Sequence, residues 1–316
     1  MRFGVVVPSY GRLGDPEAVA RLIVAAERLG YEGAWFADHV VVPDYATGWL
    51  PPPILEPLST CAFGAGLTSR LRFGVDVLVA AYRHPLVLAS TAATIDRLSR
   101  GRLVVGVGVG YLEGEFAALG VPYEQRGDIT DEHLRLLRDA WTTSGPVGGV
   151  HPGVQPEAPG VPLWVGGNIT RALRRAAELG DGWHPLWPTP EDYAGGRRRI
   201  DELRARAGIA RPFTFSYSCP LGRVLDRPRD DWGDVADPRP TRPEFGYVPP
   251  LPRAGGGRPR FTGTPEQLAD DVAVFAAAGV EHLTLRFWTS GVDLDAAGVE
   301  AQMDAFATEV MPEFGS

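Results

Sequence analysis

Residues 84–110 read HPLVLASTAATIDRLSRGRLVVGVGVG. Pro85 stands just inside the start of an apolar helical run, Gly101 stands just after its end, and a short strand-like stretch, RLVVGVGVG, follows at once. Proline suits the first helical turn because its missing N–H has no partner there, and glycine suits the residue that closes a helix. The strand alternates only weakly between apolar and polar residues, as expected when both of its faces are covered.

The same helix-and-strand unit recurs on both sides. RFGVVVP (2–8) is a strand, and DPEAVARLIVAAERLG (15–30) is a helix with Asp15 as its cap, Pro16 in its first turn and Gly30 at its end. EGAWFAD (32–38) and RLRFGVDVLV (70–79) give the second and third strands, and residues 102–110 the fourth. VPLWVGG, DGWHPLW, FTFSYSCP and EHLTLRF supply four more, each with a helix after it. Eight consecutive units without a domain break predict an α/β fold, a (β/α)8 TIM barrel forming one domain over 1–316. An open doubly wound sheet is the alternative. The rhythm breaks at 219–263, a proline-rich stretch after the seventh strand. It leaves the carboxyl end of that strand and is read as an active-site lid, with a surface excursion or a packing surface for a second subunit as alternatives.

Composition narrows the function. The chain is 44% hydrophobic and 22% charged, with a formal net charge of -8, which argues against a nucleic-acid binder and leaves room for a local anion site. Cys61 and Cys219 stand far apart without metal-ligand or disulfide spacing. No apolar stretch reaches the roughly 18 residues that a membrane span requires, and no leader pattern opens the chain, so cytoplasmic residence is expected.

In a barrel of this kind the carboxyl ends of the strands display the chemistry. His39, next to Asp38, lies at the end of the second strand and is the leading acid–base candidate, because imidazole exchanges protons near neutrality. His84 reads as a helix cap, with Tyr82 and Arg83 close enough to approach a ligand. Gly106, Gly108 and Gly110 leave room for a bulky group or for tight packing, without the full dinucleotide fingerprint. Gly166, Gly167 and Asn168 open a helix whose free amides suit a phosphate; Arg171 adds charge, and Arg174 and Arg175 are expected to face solvent. Trp183, His184 and Trp187 either wall the pocket or belong to the outer packing. No histidine and carboxylate set has the spacing of a metal site.

Taken together, FGVVVPSYG, GYEGAWFADHV, YRHPLVLASTAATIDRLSRGRLVVGVGVGY and PLWVGGNITRALRRAAELGDGW resemble, in order, the luciferase-like family of flavin- and deazaflavin-dependent oxidoreductases. The resemblance implies a cofactor held over the strand ends. It implies that His39, with Asp38, serves proton exchange beside the ring, and that a non-proline cis peptide joins Asp76 and Val77 behind it. It also implies that Gly108, Val109 and Gly110 line the cofactor, with Gly166, Gly167 and Asn168 at its phosphate. Pro43 and Tyr111 stand where sugar-phosphate dehydrogenases of the deazaflavin branch carry tryptophan and glutamate, which argues against a sugar-phosphate substrate. The expected activity is hydride transfer between coenzyme F420 and a small organic molecule. An FMN-dependent monooxygenase and a non-catalytic cofactor-binding barrel are the alternatives, and a homodimer is left open.

Overall fold

The structure is a computed structural model that describes residues 1–142, 149–157, 160–229, 252–289 and 291–315. Its strands are β1 (Arg2–Val6), β2 (Gly33–Phe36), β3 (Arg72–Val75), β4 (Leu78–Val79), β5 (Leu103–Gly108), β6 (Leu163–Val165), β7 (Gly182–Trp183), β8 (Thr214–Ser218), β9 (Arg223–Val224), β10 (Thr262–Gly263) and β11 (His282–Leu285). The helices are α1 (Pro16–Arg28), α2 (Pro57–Leu67), α3 (Pro85–Ser99), α4 (Glu113–Ala118), α5 (Arg126–Thr142), α6 (Thr170–Leu179), α7 (Pro190–Arg206), α8 (Pro265–Ala277) and α9 (Ala296–Glu309).

The sheet closes. Strands pair in parallel in the order β3, β2, β1, β11, β8, β7, β6, β5, and β3 pairs back onto β5. That closure rules out the open sheet and gives the eight-stranded barrel the repeating units predict. Asp15 caps α1 as read, accepting from the amides of Glu17 and Ala18, and Thr264 with Gln267 forms a reciprocal box at the start of α8.

One departure decides the shape of the site. The predicted third strand is broken into β3 and β4 around Asp76-Val77, whose peptide is cis. Gly74 pairs with Val104 and Leu78 with Val107, so four steps on one strand face three on the other and one residue is extra. The Val75 carbonyl and the Val77 side chain then press on β5. A Cβ on Gly106 would lie 2.1 Å from the Val75 oxygen, and one on Gly108 would lie 2.5 Å from Val77 Cγ2. Tight packing thus accounts for these two glycines without a ligand.

The lumen is filled mainly by two indoles. Trp35 and Trp164 stack at 5.1 Å, with Val6 and Val104 beside them. Room comes from missing side chains on neighbouring strands: a Cβ on Gly74 would sit 2.2 Å from the Trp35 ring, and one on Gly182 would sit 2.5 Å from Trp164. Layers of side chains fill such barrels, and here large residues meet small ones.

On the helix layer one expectation changes and one open alternative resolves. Arg175 does not face solvent; it is buried, with its guanidinium on the Asp131 carboxylate and Nη2 2.9 Å from the Gly127 oxygen. Trp183 belongs to the outer packing, stacked on Tyr193 at 4.8 Å. At the insertion, β9 and β10 pair in parallel, and Arg258 and Arg260 both bind the buried Asp271 of α8. Residues 230–251, on which the lid reading chiefly rests, lie outside the described residues. Among the described residues no helix is long and apolar enough to cross a membrane.

Because the Val75 oxygen blocks any β-carbon at position 106, Gly106→Ala forces the backbone apart and is expected to cost about 3 kcal/mol or more. Gly66→Ala, in open space on α2, is expected to be neutral or to stabilise by about 0.5–1 kcal/mol. Urea unfolding midpoints of the two variants against the parent check the pair.

Candidate active site

At the end of β2 the chain turns outward, and its two titratable side chains go to different partners. Asp38 is buried and takes both guanidinium nitrogens of Arg83, at 2.8 and 2.7 Å, together with the Val79 amide at 2.8 Å. The amide ties the end of β2 to β4, and the two-pronged pair ties it to the segment just before α3. Arg83 also reaches Glu56, at 2.8 Å. His84, as expected, caps α3, with Nδ1 accepting from the Leu86 amide.

His39 is oriented by Glu115 of α4 and not by Asp38. Its Nδ1 lies 3.0 Å from Glu115 Oε2, and the other carboxylate oxygen receives the amide of Val40 at 2.6 Å and that of Val41 at 3.3 Å. The Tyr82 hydroxyl donates to Glu115 Oε2 at 3.0 Å. Burial pushes the Glu115 carboxyl up, but the bond and charge of His39, with the Val40 amide and Tyr82, outweigh it and hold the carboxyl below its ordinary value. Burial and the Glu115 charge push the Tyr82 phenol far above its usual range. The His39 ring meets Tyr111 edge to face at 6.0 Å. With Nδ1 committed, Nε2 has no partner among the described residues and is the nitrogen left for proton exchange.

Asp76 turns into the barrel, where Oδ1 meets His184 Nε2 at 3.1 Å and Oδ2 meets Arg286 at 2.7 Å and Ser218 at 3.1 Å. Burial raises its carboxyl, and His184, Arg286 and Ser218 together bring it below the ordinary value. Val77 faces Gly108 and also Gly166, whose Cβ position is 3.3 Å from Val77 Cγ1. Gly110 has φ +77, and a Cβ there would meet the Phe116 ring at 2.8 Å, so only glycine fits the turn after Val109.

The α6 entrance is the anion candidate. Gly167 has φ +96, its carbonyl accepts from Trp183 Nε1 at 2.9 Å, and Asn168 Nδ2 donates to the Leu186 carbonyl at 3.0 Å. The helix has no side-chain cap, and residues 167–170 are exposed. Its first amides therefore point outward with the positive end of the helix dipole behind them, an arrangement that fits a phosphate. Arg171 adds little, because Asp128 and Asp131 hold its guanidinium.

Across the mouth, three buried donors have no partner among the described residues: Ser9 Oγ, beyond β1, and Arg286 Nε and Trp288 Nε1, beyond β11. A buried donor without an acceptor costs about 1–3 kcal/mol, and neighbouring donors at strand ends fit acceptor groups of a bound molecule. The sequence reading misses these three and Glu115. Glu115 carries a faint signal, an acid in a short helical run with apolar neighbours; the other three become visible only when β1 and β11 pair.

A model of the luciferase-like monooxygenases matches residues 1–229. The chain belongs to this family. It is an oxidoreductase-type enzyme, similar over most of its length to a ketoreductase. Phthiodiolone/phenolphthiodiolone dimycocerosates ketoreductase of Mycobacterium tuberculosis strain H37Rv is 27% identical over 90% of this chain and 91% of that protein. Two solved structures share the fold: a monooxygenase from Streptomyces bottropensis, with TM-score 0.77 at 20% identity over the whole of both chains, and an F420-dependent secondary alcohol dehydrogenase in complex with an F420-acetone adduct, with TM-score 0.77 at 18% identity over 100% and 99%.

Glu115→Gln is expected to loosen the 38–41 turn and to destabilise the fold by about 2 kcal/mol at pH 7. Since the folded carboxyl titrates below its ordinary value of 4.5, its contribution is complete above that pH and fades as pH falls through the folded value. Thermal unfolding of both proteins at pH 7 and pH 3.5 should show the gap narrowing on acidification.

Proposed function

We propose that this enzyme transfers a hydride between coenzyme F420 and a small organic substrate, an alcohol or carbonyl compound in the first instance, with His39 handling the accompanying proton. The observation that carries the reading is the His39–Glu115 contact at 3.0 Å, which fixes the ring at a strand end and leaves Nε2 for exchange. Two comparisons support the substrate class, since a ketoreductase and a secondary alcohol dehydrogenase are among the relatives.

The deazaflavin, when bound, supplies the hydride chemistry. The chain's part is to hold, orient and protonate. Gly166, Gly167 and Asn168 with the first amides of α6 would hold the phosphate. Gly108, Val109 and Gly110, with Asp76 and Val77, would line the ring. Nε2 of His39 would give its proton to the substrate oxygen during reduction and recover it during oxidation. Asp38 acts here as a positioning residue through Arg83. The 219–263 insertion would cover the mouth, and the reaction would run in the cytoplasm with a small molecule as partner.

FMN-dependent oxygenation is the second reading, because the fold likeness to the Streptomyces monooxygenase equals that to the alcohol dehydrogenase. Side-by-side titration with F420 and FMN separates the two, oxygen consumption coupled to substrate marking the second. Binding of F420 without turnover of alcohols, ketones, imines or enones would favour a non-catalytic barrel. In anaerobic turnover His39→Ala should lower kcat by about 100-fold or more with F420 affinity kept. Unchanged turnover would remove His39 from its role.

A further inference from the structure

Neighbouring residues beyond two strand ends part company and cross to different partners. After β2, Asp38 pairs with Arg83 while His39 goes to Glu115; after β4, Arg83 returns to Asp38 while Tyr82 goes to Glu115. Tyr82 closes the 3-10 turn Ala80–Tyr82, which His133 of α5 braces through a 3.0 Å contact between Nδ1 and the Ala80 carbonyl. Its ring packs edge to face on Phe116 at 4.8 Å. Phenol and imidazole thus meet one oxygen: the Tyr82 hydroxyl and His39 Nδ1 each lie 3.0 Å from Glu115 Oε2.

The hydrogens at this oxygen can be assigned. The Glu115 side chain is fully buried, and its other oxygen already takes the amides of Val40 and Val41. With those amides and the phenol donating, and the carboxyl held below its ordinary value, Glu115 carries no proton near neutrality. The hydrogen between it and the imidazole therefore sits on Nδ1. Each donor that a carboxylate accepts stabilises its charge and makes it less basic, so the phenol takes from Oε2 part of the attraction it would offer the imidazole.

We infer that Tyr82 is a positioning residue that tunes His39: through the shared oxygen it weakens the hold of Glu115 on the imidazolium and lowers the pH at which the ring changes charge. The other groups near the ring leave this balance alone. Tyr111 meets it edge to face, and burial pushes the phenols of Tyr111 and Tyr82 alike far up, so both stay protonated. Asp38 and Glu56 both hold Arg83, and that cluster makes no bond to the phenol. Use of this tuning in the reaction rests on the proposed function: a weaker base gives its proton to a carbonyl oxygen more readily and takes one from an alcohol less readily. The titration of the cofactor-free protein does not rest on it.

The test follows the side-chain 15N signals of His39 with pH in the cofactor-free protein, assigned by their loss in His39→Ala, beside Tyr82→Phe and Glu115→Gln. Phenylalanine keeps the ring on Phe116 and removes only the hydroxyl. The His39 midpoint should rise by about 0.5 pH unit in Tyr82→Phe, a roughly threefold gain in charged over neutral ring, and fall by about one unit in Glu115→Gln. In the parent the neutral ring should carry its hydrogen on Nδ1. A role confined to packing would not drive the two midpoints in opposite directions. An unchanged or lower midpoint in Tyr82→Phe overturns the inference, as does a neutral parent ring protonated on Nε2, and both are read even if Glu115→Gln fails to fold. With F420 present, the pH limb of turnover should move with the midpoint. If the spectra move as stated while F420 supports no turnover of alcohols or ketones, the proposed function fails and this inference stands.

Discussion

A single extra residue in the strand opposite β5 governs this structure. It sets Asp76 into the lumen and Val77 onto the glycines of β5 and β6, so that the polar contacts inside the barrel and the floor of the mouth are positioned by one segment. Closure depends on it as well. β3 pairs with the beginning of β5 and β4 with its end, and β5 can accommodate the crowded stretch between them only because Gly106 and Gly108 present no side chain there.

Buried carboxylates do the remaining positioning, each held by several donors. Asp38 takes Arg83 and an amide, Asp76 takes Arg286, His184 and Ser218, and Asp271 takes two arginines and an amide. Glu115 is different, since it meets a histidine, two amides and a phenol and no guanidinium. A guanidinium stays charged at any physiological pH, so the arginine-bound acids are fixed clamps. An imidazole can gain or lose a proton, which makes the Glu115 end of the site the part able to take part in chemistry.

The barrel was legible because each helix and strand announces itself locally: Pro16, Pro85 and Pro265 open helices, and short β-branched runs follow at regular spacing. Placing Asp38 and His39 at a strand end was legible for the same reason. Their partners were not, because Arg83 lies 45 residues from Asp38, and Glu115 lies 76 residues from His39. Arg175 shows how local reading fails: on its own helix it looks like one more surface cation, and only α5, by bringing Asp131 alongside, makes its burial tolerable. The alternating glycines of β5 show an ambiguity of another kind. Missing side chains signal a close neighbour without saying whether it is a ligand or, as at positions 106 and 108, the protein itself.

The two histidine systems divide the work by exposure. His39 stands at the mouth with a carboxylate on Nδ1 and nothing on Nε2 among the described residues, so a proton it gives up can be replaced from solvent or substrate. His184 and His282 are enclosed, with every ring nitrogen facing a polar atom, so a proton moves there only if its neighbours re-form their bonds in concert. Arg286, bound to Asp76 by one nitrogen, keeps an Nε with no partner among the described residues.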